Sequence, residues 1–161
     1  MESPNRQSAI LETLRRYLTF ILLLELLGTS TELLLVGHYE ERWQWVPLAL
    51  IALALLVLGR LAAAPSAASV RAWQGLMVLF MLGGVAGLAL HWNAKMEFKR
   101  EADPSLAGLQ LFREAMKTQS PPALAPGAMI QMGLLGPACA YRYPALAPAA
   151  DPHSKGKGEY G

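Results

Sequence analysis

Residues 43–59 read WQWVPLALIALALLVLG, a run without a charged side chain. A second such run, AWQGLMVLFMLGGVAGLALHWNA, covers residues 72–94 when its histidine is neutral. Such runs approach or reach the roughly 20 apolar residues that a helix needs to cross about 30 Å of hydrocarbon. Hydrophobic residues make up 53% of the chain and charged residues only 16%, a low charge content for a soluble domain. The sequence therefore predicts an all-α integral membrane protein.

Four apolar stretches divide the chain into one transmembrane domain, residues 17–147, with a segment on either side. We expect a four-helix bundle whose spans cover residues 17–36, 43–64, 72–92 and 126–146. Residues 1–16 are then a cytoplasmic amino-terminal segment. Residues 148–161 contain proline, glycine and lysine and are expected to be a disordered cytoplasmic tail.

The connections between the spans differ in length and composition. Residues 37–42 form a short polar turn, which predicts an antiparallel hairpin of spans one and two. The stretch 64–69 begins with Ala64-Pro65 and is expected to be the next loop. Span four carries Pro137, which should kink it, because proline cannot donate a backbone hydrogen bond. A re-entrant segment is the alternative for this span.

Residues 93–119 form the one long polar segment between spans. Asp103 and Pro104 resemble a helix start, with the aspartate as N-cap. Apolar side chains then recur near helical spacing at Leu106, Leu109, Phe112 and Met116. The pattern predicts a short amphipathic helix that lies on the membrane surface, or caps one mouth of the bundle.

Charges and aromatic rings near the span ends give the orientation. Lysine and arginine in the short segments next to the spans favour a cytoplasmic location for both termini. We expect a multi-pass protein of the cell inner (plasma) membrane. All four tryptophans fall at expected span ends, where amphipathic rings occupy the headgroup zone: Trp43, Trp45, Trp73 and Trp92. A cleaved signal peptide is the alternative for the first span, but Glu25 would interrupt its apolar region.

Two carboxylates in the first span are the first candidate site. Glu25 and Glu32 are seven residues apart, so they share one helix face, about 10 Å apart along its axis. Thr29 lies on the same face, and Gln131 of span four could face it. Ionisable groups at bilayer depth often mark ion pathways, so these residues suggest a proton or cation path in an oligomeric channel or transporter. The structural alternative is a protonated Glu25 that forms a hydrogen bond with a neighbouring helix.

Two histidines are the second candidate site. His38 and His91 fall at the same end of spans one and three and could approach each other. Paired imidazoles can ligate haem iron or, with a carboxylate, zinc or copper. No HxxxH or CxxCH spacing accompanies them. Ordinary interface histidines are therefore the simpler interpretation, and the sequence identifies no cofactor.

Glycines in span three are the third candidate. Gly83 and Gly87 form a GxxxG pattern, and Gly84 lies between them. Small residues at this spacing let a second helix approach closely. That helix could belong to the same chain or to another copy.

The remaining features mainly exclude functions. The net charge of +2 and the lack of a basic stripe argue against nucleic-acid binding. Cys139 is the only cysteine, so no internal disulfide or CxxC redox pair can form. No Walker, GxSxG, HExxH or dinucleotide motif occurs. We therefore expect a non-enzymatic scaffold or accessory subunit that contacts lipid and forms a homo-oligomer or joins a larger membrane complex.

Overall fold

The computed structural model describes residues 4–117, 124–141 and 143–146, and every regular element among them is helical. In chain order the α-helices are α1 (Pro4–Leu35), α2 (Trp45–Ala63), α3 (Ala67–Ala102), α4 (Gly108–Met116) and α5 (Leu124–Cys139). Short 3₁₀ helices at Arg42–Gln44 and Pro144–Leu146 precede α2 and follow α5. The expected tail, residues 148–161, lies outside the described residues.

Three helices, α1, α2 and α3, are long and apolar enough to cross a membrane. Most of the segment 1–16 belongs to α1, because that helix already begins at Pro4. The fourth apolar helix, α5, has 16 residues and is therefore about 24 Å long. It contains no charged residue.

The helix α3 is the centre of the packing. It contacts α5 most extensively and also contacts α2 and α4. The first helix packs more closely against α5 than against its sequence neighbour α2, so the expected hairpin of the first two spans is loose. Large side chains from all four apolar helices form the core: Leu22, Leu26, Ile51, Trp73, Met77, Phe80 and Met132.

The third helix is longer at both ends than the expected span 72–92. Ser66 caps its first turn: the Ser66 hydroxyl accepts from the Ser69 amide at 3.1 Å, and the Ser69 hydroxyl accepts from the Ser66 amide at 2.9 Å. This reciprocal cap starts the helix at Ala67, inside the stretch that was expected to be loop. At its other end α3 continues ten residues beyond Trp92.

The predicted start of α4 at Asp103 is wrong. Asp103 ends α3, and its carboxylate accepts from the Ser105 amide at 3.0 Å and the Ser105 hydroxyl at 2.6 Å. These bonds form a local turn, which lowers the pKa of Asp103. The helix begins five residues later, at Gly108.

The buried face of α4 also differs from the expected apolar face. Leu111 and Ala115 are buried, and α3 is the helix that α4 contacts. The residues of the expected face, by contrast, stay largely open: Leu109 is 65% and Met116 60% exposed. Phe112 lies against Trp92, with ring centroids 5.1 Å apart.

The prediction that Trp73 occupies the headgroup zone is wrong. The side chain is fully buried, and its indole N–H donates to the carbonyl of Gly136 at 2.9 Å. In a regular helix the Ala140 amide would donate to the Gly136 carbonyl, but here it donates to the Pro137 carbonyl at 3.1 Å. The Gly136 carbonyl near the end of α5 therefore accepts from the indole N–H. Pro137 lies in the last turn of α5, so the backbone hydrogen bond that it removes is one at the end of the helix.

Candidate functional site

A glycine turn at the end of α1 places the first histidine. Gly37 has a φ of +69°, a left-handed conformation that suits glycine. The His38 amide donates to the Leu33 carbonyl at 2.8 Å, and the Gly37 amide donates to Leu34 at 3.3 Å. These two bonds form a Schellman motif, which ends the helix and fixes the position of His38 directly after it.

The structure brings the two histidines together. The rings of His38 and His91 have centroids 6.1 Å apart and an interplanar angle of 29°. His38 is half-buried, whereas His91 on α3 is exposed. Burial, and secondarily the nearby His91 ring, lower the pKa of His38. Its imidazole is therefore neutral, and able to accept a proton or bind a metal, over a wider pH range than a free histidine.

Both rings line an open cavity of about 540 Å³, which we call the histidine cavity. Its lining combines the end of α1, the turn into α2, the middle of α3 and the start of α5. Its polar lining residues are His38, Glu41, Gln44 and His91, and the rest of the lining is mainly apolar. The volume is in the range of small-molecule sites.

Gly83, Gly84 and Gly87 of α3 lie against α5 and the histidine cavity. A Cβ on Gly84 would come within 2.7 Å of the Pro126 carbonyl and 3.0 Å of the Ile130 amide. Gly83 and Gly87 line the histidine cavity, where α5 begins. The close neighbour of the GxxxG pattern is therefore a helix of the same chain.

The four residues of the possible ion path do not share one environment. Thr29 is buried, whereas Glu32 on α1 and Gln131 on α5 are exposed. Glu25 is half-buried, at the boundary between the covered and open faces of α1. Its Oε2 atom is buried and has no hydrogen-bond partner within the described part of the chain.

Several cavity residues have no signal in the sequence that marks them as part of a site. Pro126 and Met129 line the histidine cavity because α5 packs antiparallel to α3, a pairing that hydropathy does not show. Gln44 lines it because its side chain accepts from the Glu41 amide at 3.0 Å. A glutamate at the N-cap departs from the usual sequence signal of this cap, which has Ser, Thr, Asp or Asn three positions before Glu or Gln.

No protein-family model, curated protein or solved structure matches this chain. Its function therefore has to follow from its own residues and their geometry.

Proposed function

We propose that this protein is a non-enzymatic subunit or scaffold of a complex in the cell inner membrane. In this proposal α1, α2, α3 and α5 cross the bilayer as a four-helix bundle with both termini in the cytoplasm. The open apolar residues of α4, Leu109 and Met116, then rest on the lipid surface, since no described residue covers them.

The observation that carries the proposal is an uncovered polar edge on α1. Gly28, Thr31 and Glu32 line a shallow depression on the outside of this helix, among leucines. Glu32 is exposed there, and a carboxylate that faces acyl chains is unfavourable. A partner helix would remove it from lipid.

The geometry of the edge suits a second helix. A Cβ on Gly28 would meet nothing within 4 Å, so the space beside the backbone is open. The Thr31 hydroxyl donates to the Leu27 carbonyl at 2.8 Å, which keeps this side chain close to the helix. Small residues and satisfied hydroxyls are typical of membrane helix interfaces. Gly83, Gly84 and Gly87 of α3 do not offer this, because α5 already occupies their face.

Gly28→Leu tests the proposal by filling the depression. Wild-type protein extracted in mild detergent should have a native mass above that of a 17.5 kDa monomer, as a homo-oligomer or with a co-purifying membrane protein. The substitution should reduce that assembly at least about tenfold, because the leucine side chain separates the backbones. Gly59→Leu is the matched control, since Gly59 on α2 also faces open space. A wild-type monomer without partners, or equal loss in both variants, contradicts the proposal.

Ion conduction through Glu25 stays a prediction. The exposed positions of Glu32 and Gln131 do not favour a path within one chain. An oligomer that pairs the α1 edges would be needed to enclose these side chains.

A further inference from the structure

We propose that His38 and His91 are the two axial ligands of a haem held in the histidine cavity. This inference concerns a different surface from the α1 edge and does not depend on the proposed assembly.

The separation of the two rings fits ligands on opposite sides of one metal. A metal–nitrogen bond of about 2 Å, plus about 1 Å from nitrogen to ring centre, places two opposed imidazole centres about 6 Å apart. Two imidazoles at neighbouring corners of a tetrahedral metal would have centres only about 5 Å apart. The observed separation of 6.1 Å, between ring planes 29° apart, is nearer to the value for opposed ligands than to the tetrahedral one.

The supply of protein ligands also distinguishes haem from a bare metal ion. Within the described residues no group of three or more histidine, cysteine, aspartate or glutamate side chains could hold a metal ion. A structural zinc site needs four such ligands, and a catalytic one needs three. Haem iron brings four nitrogens of its own and asks the protein for only two. Two histidines are therefore a sufficient set for haem and an insufficient one for zinc.

The wall of the cavity suits a flat, largely apolar ring. On α3 the positions that line it are mostly small, with Gly83, Ala86 and Gly87 one to two turns before His91. The side chains of Met129 and Pro126 lie 3.1 Å and 3.4 Å from where a Cβ on Gly83 and Gly87 would stand, so these side chains cover the glycine backbone and form this part of the wall. Leucine, valine, proline and methionine side chains from the other helices complete the apolar lining: Leu33, Val46, Pro47, Pro126 and Met129.

The mouth of the cavity could accept the charged edge of haem. Its two propionates need water or cationic partners. Arg42 adjoins Glu41 in the chain, and Lys95 follows Ala94, both neighbours being residues of the cavity lining. Neither basic residue is itself part of the cavity lining, so the propionates would face water at the open mouth.

Titration of the full-length, haem-free protein in mild detergent with ferric haem tests the inference. We expect saturation at one haem per chain and the absorbance spectrum of six-coordinate, low-spin iron. His38→Ala and His91→Ala should each give a five-coordinate, high-spin spectrum and bind haem at least about tenfold more weakly. His153→Ala is the matched control, because it removes the third and last histidine of the chain and should leave the spectrum unchanged.

Folding is checked separately in each variant. Circular dichroism reports whether the helices persist, and added imidazole should restore the low-spin spectrum of a folded alanine variant by filling the vacated position. A folded wild-type protein that binds no stoichiometric haem overturns the inference. It is equally overturned if both single variants keep the low-spin spectrum, or if His153→Ala loses it.

Discussion

At the scale of single residues, Trp73 illustrates how a membrane protein uses an aromatic side chain internally. A tryptophan near the end of an apolar run is usually assigned to the headgroup zone. Here the ring fills the space between α3 and α5, and its N–H bonds a carbonyl at the end of α5. The residue type and position are compatible with both roles, and only the packing distinguishes them.

Trp73→Phe should destabilise the protein by about 1–3 kcal/mol, because it leaves the buried Gly136 carbonyl without its indole donor and also reduces ring volume. Thermal unfolding in detergent, followed by circular dichroism, measures the change. Trp43→Phe is the control, since that side chain is 75% exposed and should change stability by less than about 0.5 kcal/mol. Equal effects of the two substitutions would show that the Trp73 bond does not stabilise the fold.

At the scale of helices, the contact between α3 and α5 depends on glycines from both sides. A Cβ on Gly133 of α5 would come within 2.8 Å of the Met77 carbonyl, as a Cβ on Gly84 would approach Pro126. Backbone atoms, which cannot rotate away, form these close contacts. The two helices are therefore held at a distance that only glycine permits.

Gly84→Ala should force these helices apart and cost about 1–3 kcal/mol of stability. The same substitution at Gly75, on the same helix but facing open space, should be neutral or stabilising by up to about 1 kcal/mol, because alanine favours helix. Thermal unfolding of both variants in one detergent measures the difference. If Gly75→Ala destabilises as much as Gly84→Ala, helix contact is not the cause.

The element boundaries show what sequence patterns could and could not give. Apolar length identified α1, α2 and α3 as candidate spans, because desolvation requires long uncharged runs. Hydropathy placed the start of α3 too late, since the cap at Ser66 and Ser69 depends on side-chain hydrogen bonds. The Asp103–Pro104 pattern placed the start of α4 too early, because the Asp103 carboxylate accepts from the Ser105 amide in a local turn and does not cap a helix.

At the scale of the whole molecule, the candidate site depends on contacts distant in sequence. Placing His38 and His91 at the same end of their spans was possible from span lengths alone. Their separation of 6.1 Å and the cavity beside them were not, because both depend on how the turn at Gly37 meets α3 and α5. The apolar pattern of the sequence indicates which residues are buried away from water, but it does not indicate which helices pack against each other.

The proposed orientation of the molecule can be tested with single cysteines. Glu40 and Ala64 are exposed in the loops at opposite ends of α2, whose 19 residues span about 28 Å. Arg60 lies close to the loop that contains Ala64, and a positive charge at this position favours a cytoplasmic location for the loop. In a Cys139→Ala background, a maleimide that cannot cross membranes should therefore label Glu40→Cys in intact cells. It should label Ala64→Cys only after permeabilisation.

Pro104→Cys, exposed in the turn between α3 and α4, adds a third position to this test. Because α3 returns the chain to the side from which α2 began, this cysteine should react in intact cells like the one at Glu40. Labelling of the Ala64 position without permeabilisation, together with protection of the other two, would reverse the proposed orientation. Equal labelling of all three in intact cells would place both ends of α2 in water on one side and remove α2 as a span.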